Sequence, residues 1–287
     1  MQFLDLTLDT PAANLALDEA LLFAAESNSS PAVDSPTLAR SLSETALRRA
    51  REQAGSPSID APPQAAVEPA QSASASPPVG ETLRLWEPRE FMVVLGSSSR
   101  LLDEVNLATC RERRIEVLRR SSGGAAILAG PGSLMYALVL DRRSRPELSG
   151  VDTTHRWVLE TLASAIGQIV PGVARRGISD LAVRERKFSG NSLRVRRDWL
   201  LYHGTLLYGF PLRSLDACLG TPPRQPAYRA GRRHSHFVIN LPLDAKRLRE
   251  AVCSAFDCSG MATTWPQELT ARLAAEKFGN PDWTNRL

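Results

Sequence analysis

The sequence predicts an α+β fold built on a mixed, largely antiparallel sheet flanked by helices. Three observations carry that prediction. Strand-like apolar runs crowd the middle of the chain, short polar turns such as Arg184 to Arg186 and Arg197-Asp198 separate several of them, and helical patterns do not alternate with strands as βαβ units require. A first helix is expected over residues 11–23, with Pro11 near its start and Leu15, Leu17, Leu21 and Leu22 as apolar positions. Strands are expected at 83–86, 91–96, 116–119, 125–129 and 134–140, with a helix at 107–114 among them. A helix at 153–169, closed by Pro171 and Gly172, precedes strands near 181–183, 188–195 and 200–208. Amphipathic helices near 244–256 and 267–278 complete the set.

Composition sets the outer limits. With 287 residues and 43% hydrophobic content the chain can build an ordinary globular core. Residues 26–80 contain no Trp, Phe or Tyr, and 30 of those 55 positions are Ala, Ser or Pro, too little apolar surface to offset the entropy of ordering. They read as a disordered insertion, with a capping-box pattern at Ser41 and Glu44 that allows a short transient helix. Residues 1–25 and 81–287 then read as a single catalytic domain. The start of the chain carries Asp5, Asp9, Asp18 and Glu19 with no basic-then-apolar leader, and no run of about 18 apolar residues occurs, so a soluble, cytoplasmic protein without a membrane span is expected. Cys110, Cys218, Cys253 and Cys258 lack both zinc-site spacing and disulfide density, and read as buried thiols.

Of 35 Lys plus Arg, only Lys187, Lys246 and Lys277 are lysines, so each compact ammonium stands out among flat guanidinium forks. Arg119-Arg120-Ser121-Ser122-Gly123-Gly124-Ala125-Ala126 runs from a strand into two cations, two hydroxyls and two glycines; backbone N–H groups and guanidinium groups there suit a phosphate, although taken alone the segment is better read as a plain glycine-rich hairpin turn with solvated arginines. The ending of a Walker loop is missing. From Arg184 to Arg197 six basic residues face one acidic residue, which suits an anion site, and Lys187 precedes Phe188-Ser189-Gly190, where glycine permits close backbone approach. His203 precedes Gly204 in an apolar strand. His234 and His236 form a His-x-His without a third ligand at a suggestive spacing, so no metal site is assigned.

Together these segments resemble the lipoate-protein ligase family, itself similar to biotin-protein ligases. Residues 119–127 look like its RRxSGGGAV segment, Asp180 with Lys187-Phe188-Ser189-Gly190-Asn191 looks like NDL...K-[IF]-SG-[SN], and His203-Gly204-Thr205-Leu206-Leu207 matches HGTLL. The likeness extends to residues 14–22 and 277–283, and leaves out only 26–80. The resemblance implies a biotin/lipoate-protein-ligase-like catalytic domain that activates lipoate or octanoate with ATP and Mg²⁺ to an acyl-adenylate, then transfers the acyl group to a lysine of a lipoyl-domain or glycine-cleavage-H-like acceptor. By residue, it implies Lys187 as a charged clamp on carboxylate and α-phosphate, nucleotide contacts from Arg119, Arg120, Ser122, Gly123, Gly124, Ala125, Ala126, Ile127 and Asp180, and substrate contacts from Ser189, Gly190, His203 and Gly204. Asp180 would orient Lys187 or help hold Mg²⁺. Ala125 replaces the third glycine and Ser179 the Asn of NDL. Some family ligases carry a C-terminal accessory domain, and the short stretch after Trp283 points to a separate accessory protein or to transfer alone. Two alternatives stand beside this reading: an ATP-independent octanoyl or lipoyl transferase acting through a cysteine thioester, with Cys218 the nearest thiol, and a non-catalytic nucleotide or nucleic-acid-binding module.

Overall fold

A computed structural model of the chain describes residues 1–29 and 80–287. The insertion expected over 26–80 lies almost wholly outside these residues. Its first four positions do not, because helix α1 (Pro11–Ser29) runs past the expected end at 23. Asn14 starts that helix: its side chain accepts from Leu8 N–H at 2.9 Å and donates to Leu8 and Thr10 carbonyls at 2.8 and 2.9 Å.

Eight strands form the larger sheet. They are β1 (Gln2–Asp5), β2 (Thr82–Trp86), β6 (Ser133–Asp141), β7 (Val173–Arg176), β8 (Asp180–Val183), β9 (Arg186–Val195), β10 (Trp199–Leu207) and β11 (Gly260–Met261), in the order β11-β1-β2-β6-β10-β9-β8-β7. Both contacts of β1 are parallel and the others antiparallel, so the sheet is mixed and largely antiparallel. A second sheet of three strands, β3 (Met92–Leu95), β4 (Glu116–Arg119) and β5 (Ile127–Ala129), has the order β4-β3-β5. Here the structure departs from the single expected sheet. β5 also starts two residues later than expected, since the Ala125 carbonyl is drawn out of the ladder by Arg120.

β6 is buried on both faces, which explains why 134–140 reads as a continuous apolar run without alternation. Leu138 and Leu140 pack with Val158, Leu159 and Leu162 of α4 (Val151–Gly167) and with Leu248 and Val252 of α7 (Ala245–Ala255). On the opposite face Ala137 and Val139 meet Leu17, Leu21 and Leu22 of α1. The same helix sends Leu15 and Ala16 against Trp86, Val94 and Leu118, so α1 joins both sheets into one core. The remaining short helices are α2 (Leu101–Glu104), α3 (Leu107–Glu112), α5 (Arg213–Cys218), α6 (His234–Phe237), α8 (Gln267–Leu273) and α9 (Pro281–Thr284). No helix among the described residues is long and apolar enough to cross a membrane.

One buried imidazole makes the fold sensitive to acid. His155 on α4 is 5% exposed, its Nδ1 lies 2.9 Å from the Tyr202 hydroxyl, and burial, with Arg175 nearby, pulls its pKa down. A folded-state pKa below the unfolded value means the unfolded chain binds more protons, so stability is lost as pH falls below about 6.5. Urea midpoints taken at about pH 7.5 and about pH 5.5 should differ less for His155→Gln than for the wild type.

Candidate active site

Between the two sheets opens a cavity of about 1090 Å³. Its walls come from the 124–128 loop, the middle of β9 and β10, the start of α1 and the segment 222–238. Leu128, Met135, Leu207, Leu215 and Phe237 give it an apolar lining, and its charged groups include Asp18, Glu104, Arg120, Asp180, Lys187 and Arg229.

The glycine loop is organised from behind. Arg120, 7% exposed, donates through Nη2 to the Gly123 and Ala125 carbonyls at 2.5 and 3.1 Å and through Nη1 to Val94 at 3.1 Å. Ser192 Oγ donates to Gly123 O at 2.8 Å and Ser99 Oγ to Gly124 O at 3.1 Å. With its carbonyls drawn back, the loop leaves the Gly124 and Ala125 N–H groups on the cavity wall without a hydrogen-bond partner among the described residues. That arrangement suits an oxyanion. The left-handed position is Gly124, with φ of 91°, so the departure to alanine at 125 falls where no positive φ is required. Ala126 N–H already has an acidic partner, Glu104 Oε2 at 2.6 Å.

Lys187 sits at a bulge. Asp180 pairs with Gly190 and Leu181 with Ser189, after which the register shifts so that Ala182 faces Lys187, leaving Phe188 as the extra residue. Its ring is fully buried in the core, worth about 2–3 kcal/mol, and anchors the strand beside the lysine. Ile239 N–H binds the Lys187 carbonyl at 2.8 Å. The ammonium lies 2.7 Å from Asp180 Oδ1, and Asp180 Oδ2 accepts the Tyr228 hydroxyl at 2.8 Å. A Cβ at Gly190 would stand 2.7 Å from Lys187 Nζ, so glycine there makes room for the ammonium itself.

A polar chain runs from the loop to α1. Ser122 Oγ is 2.5 Å from His203 Nε2, and His203 Nδ1 is 3.7 Å from Asp18 Oδ2. Arg120 Nε donates to the serine oxygen at 3.1 Å. Asp18 is held in turn by Arg84 at 2.5 Å. Beside it, Asn191 accepts the Tyr136 hydroxyl at 2.5 Å, donates to Ser179 O at 2.8 Å, and exchanges hydrogen bonds with Ser189.

Most residues expected in the site meet at this cavity, but Arg119, Ser122 and Gly123 are not part of its lining. Arg119 is fully buried and gives its guanidinium to backbone: Thr284 O at 2.9 and 2.7 Å, Gly96 O at 2.8 Å and Ser99 O at 2.7 Å. Both arginines of the pair donate to backbone carbonyls, and of the two only Arg120 lines the cavity. In the basic hairpin Arg186 donates to Val238 O at 2.9 Å, Lys187 pairs with Asp180 and Arg194 pairs with the buried Glu19. Asp180 orients Lys187, and both its oxygens are engaged. Among the described residues no three His, Cys, Asp or Glu side chains gather as metal ligands, and His234 Nε2 lies 3.1 Å from Gly220 O. Cys218 is fully buried and outside the cavity lining; burial raises its pKa and, with Cys218 adjacent, lifts that of Cys110 to about 11. Sequence reasoning missed Asp18, Glu104, Tyr136, Tyr228 and Arg229. The last two lie just ahead of the His234-x-His236 pattern, in a stretch rich in arginine.

If Arg119 is a fastening and not a ligand contact, Arg119→Ala should destabilise the fold by about 3 kcal/mol or more, because it strands buried carbonyl groups. Chemical denaturation checks this.

Comparison with known proteins agrees with the geometry. The sequence profile of the lipoyl protein ligase A/B catalytic domain matches residues 64–256. The "Probable lipoate-protein ligase A" of Mycoplasma genitalium is 33% identical over 128 residues, covering 45% of this chain and 37% of that protein. The chain spans less than half the length of the curated relatives it matches. Among solved structures, a bi-partite lipoate protein ligase of Thermoplasma acidophilum, studied with its E2 lipoyl domain, superposes with a TM-score of 0.69 at 17% identity, covering 100% of this chain and 96% of that one. A lipoate-protein ligase A bound with ATP gives 0.68 at 18% identity, covering 100% and 99%. These similarities show the fold, and the profile match, spanning well over half of its residues, shows that the chain belongs to the lipoyl protein ligase A/B catalytic domain family.

Proposed function

We propose that the chain is a lipoate-protein ligase-type enzyme that activates lipoate or octanoate with ATP and passes the acyl group to a lysine of a lipoyl-domain acceptor. The observation that carries this reading is the Lys187 ammonium, fixed by Asp180 over Gly190 in a cavity with apolar walls. In the first step a carboxylate oxygen attacks the α-phosphorus, the bond from that phosphorus to the bridging oxygen breaks, and pyrophosphate leaves with the electron pair. Two anionic groups, carboxylate and α-phosphate, are forced together, and negative charge builds on the phosphoryl and departing pyrophosphate oxygens. A pre-placed ammonium and the free Gly124 and Ala125 N–H groups stabilise that charge without reorganising. In the second step the acceptor lysine attacks the acyl carbon and AMP departs.

Relatives named as ligases, a neighbour that binds ATP and one paired with a lipoyl domain support the choice of substrates and partner. A separate accessory protein and a cytoplasmic setting belong to the same proposal, as does the division into a catalytic domain of 1–25 and 81–287 with 26–80 inserted. Mg²⁺ finds a poor fit in protein ligands: Asp180 has both oxygens engaged and no acidic cluster lies among the described residues. A thioester route needs an accessible thiolate, and the buried Cys218 offers none.

Acid-dependent ATP–pyrophosphate exchange is the decisive assay. Exchange should vanish in Lys187→Ala and persist in Cys218→Ala; absence of exchange in the wild type, with thioester formation that depends on Cys218, would overturn the ligase reading. Gly190→Ala should lower exchange about a hundredfold by displacing the ammonium, with denaturation midpoints nearly unchanged because only the end of a flexible side chain must move.

A further inference from the structure

We infer that Arg229 is a second anion-binding group of the cavity and takes the terminal phosphates of the nucleotide, the part that leaves as pyrophosphate. The inference rests on the adenylation reading above.

Arg229 sits on the 3₁₀ turn Ala227–Arg229, is 4% exposed and lines the cavity. Its guanidinium is locked at one edge only. Nε donates to Arg232 O at 2.9 Å while Arg232 Nε returns a bond to Arg229 O at 3.0 Å, and the group lies 5.2 Å from the Phe237 ring centroid. Nη1 and Nη2 have no hydrogen-bond partner, and no carboxylate lies within ion-pair distance, among the described residues. The carboxylates that it senses are occupied: Asp216 by the His234 and Ser235 N–H groups at 2.9 and 3.3 Å, Asp180 by Lys187 and Tyr228.

This contrasts with the other buried arginines of the site, whose forks are filled by backbone carbonyls. A desolvated guanidinium with a free outer edge is complete only when an anion arrives, and a planar fork fits two phosphate oxygens. Lys187 and Arg229 both press on His234, so the two cations border one stretch of wall. Tyr228, on the same turn, braces Asp180 behind Lys187, which ties the position of one cation to the other. The turn adjoins exposed Arg224 and Gln225 at the cavity rim, where a polyphosphate tail can remain partly hydrated. As the α-phosphorus–oxygen bond breaks, the electron pair and its charge pass to the pyrophosphate that Arg229 holds.

The test compares wild type, Arg229→Gln and Arg229→Lys, using inorganic pyrophosphate as probe in titration calorimetry and as variable substrate in exchange. In Arg229→Gln, pyrophosphate affinity should weaken, and its KM in exchange rise, about ten- to a hundredfold, the loss of a hydrogen-bonded charge pair. The KM for the acid should stay nearly constant, and Arg229→Lys should fall between. An unchanged pyrophosphate affinity, or a rise confined to the KM for the acid, overturns the inference. If Arg229→Gln fails to fold, Arg229→Lys alone decides, since a rigid fork replaced by a point charge must still weaken pyrophosphate binding. Wild type that binds pyrophosphate through Arg229 without exchange would retain this site and remove the ligase reading.

Discussion

Burying a guanidinium group is the constraint around which this protein is arranged. The effective penalty is several kcal/mol per ion, and Arg84, Arg119 and Arg120 offset it by surrounding themselves with oxygen. Arg84 collects Leu6 O, Asn14 O, Asn14 Oδ1 and Asp18, and thereby pins the start of α1 to β2. Arg119 gathers the β3–α2 turn and the tail, and Arg120 gathers the glycine loop. Through these three, the positions of Asp18, His203 and the loop amides are consequences of one requirement, the solvation of buried positive charge by backbone.

That requirement also assigns labour within the site. Side chains hold the main chain from behind, and loop residues with a few ammonium or guanidinium groups line the cavity. Such a division keeps dipoles fixed before reaction, which is what electrostatic stabilisation of developing charge needs. Glu104 belongs to the same arrangement, its carboxylate accepting the Ala126 amide at 2.6 Å.

Much of this was legible in the sequence because it is local. Lys187 with Gly190, the 119–127 run and His203-Gly204 are contiguous patterns, and the long strands β6, β9 and β10 declare themselves by apolar runs. What escaped depends on distant partners. β1 and β11 are short strands whose ladders join residues far apart in sequence, and β7 is a four-residue edge rich in arginine. The separation into two sheets follows from strand pairing, which propensity does not encode. Arg119 and Arg120 look identical as letters, yet one reaches Thr284 and the other wraps Gly123, a difference created by strand alternation. Tyr228 and Arg229 carried a visible charge signal, but its meaning required the turn to be packed against β8 and β9.

The fastening of Arg119 to Thr284 has a consequence in time. Arg119 cannot settle until a carbonyl 165 positions later in the chain is available, and Trp283 Nε1 binds the Arg119 carbonyl at 2.7 Å as part of the same joint. During synthesis, at roughly 5–20 residues per second, the strand that carries Arg119 emerges roughly 8–33 s before its last support. The joint at Arg119 therefore closes only after residues 283 and 284 have been made, late in the synthesis of this stretch.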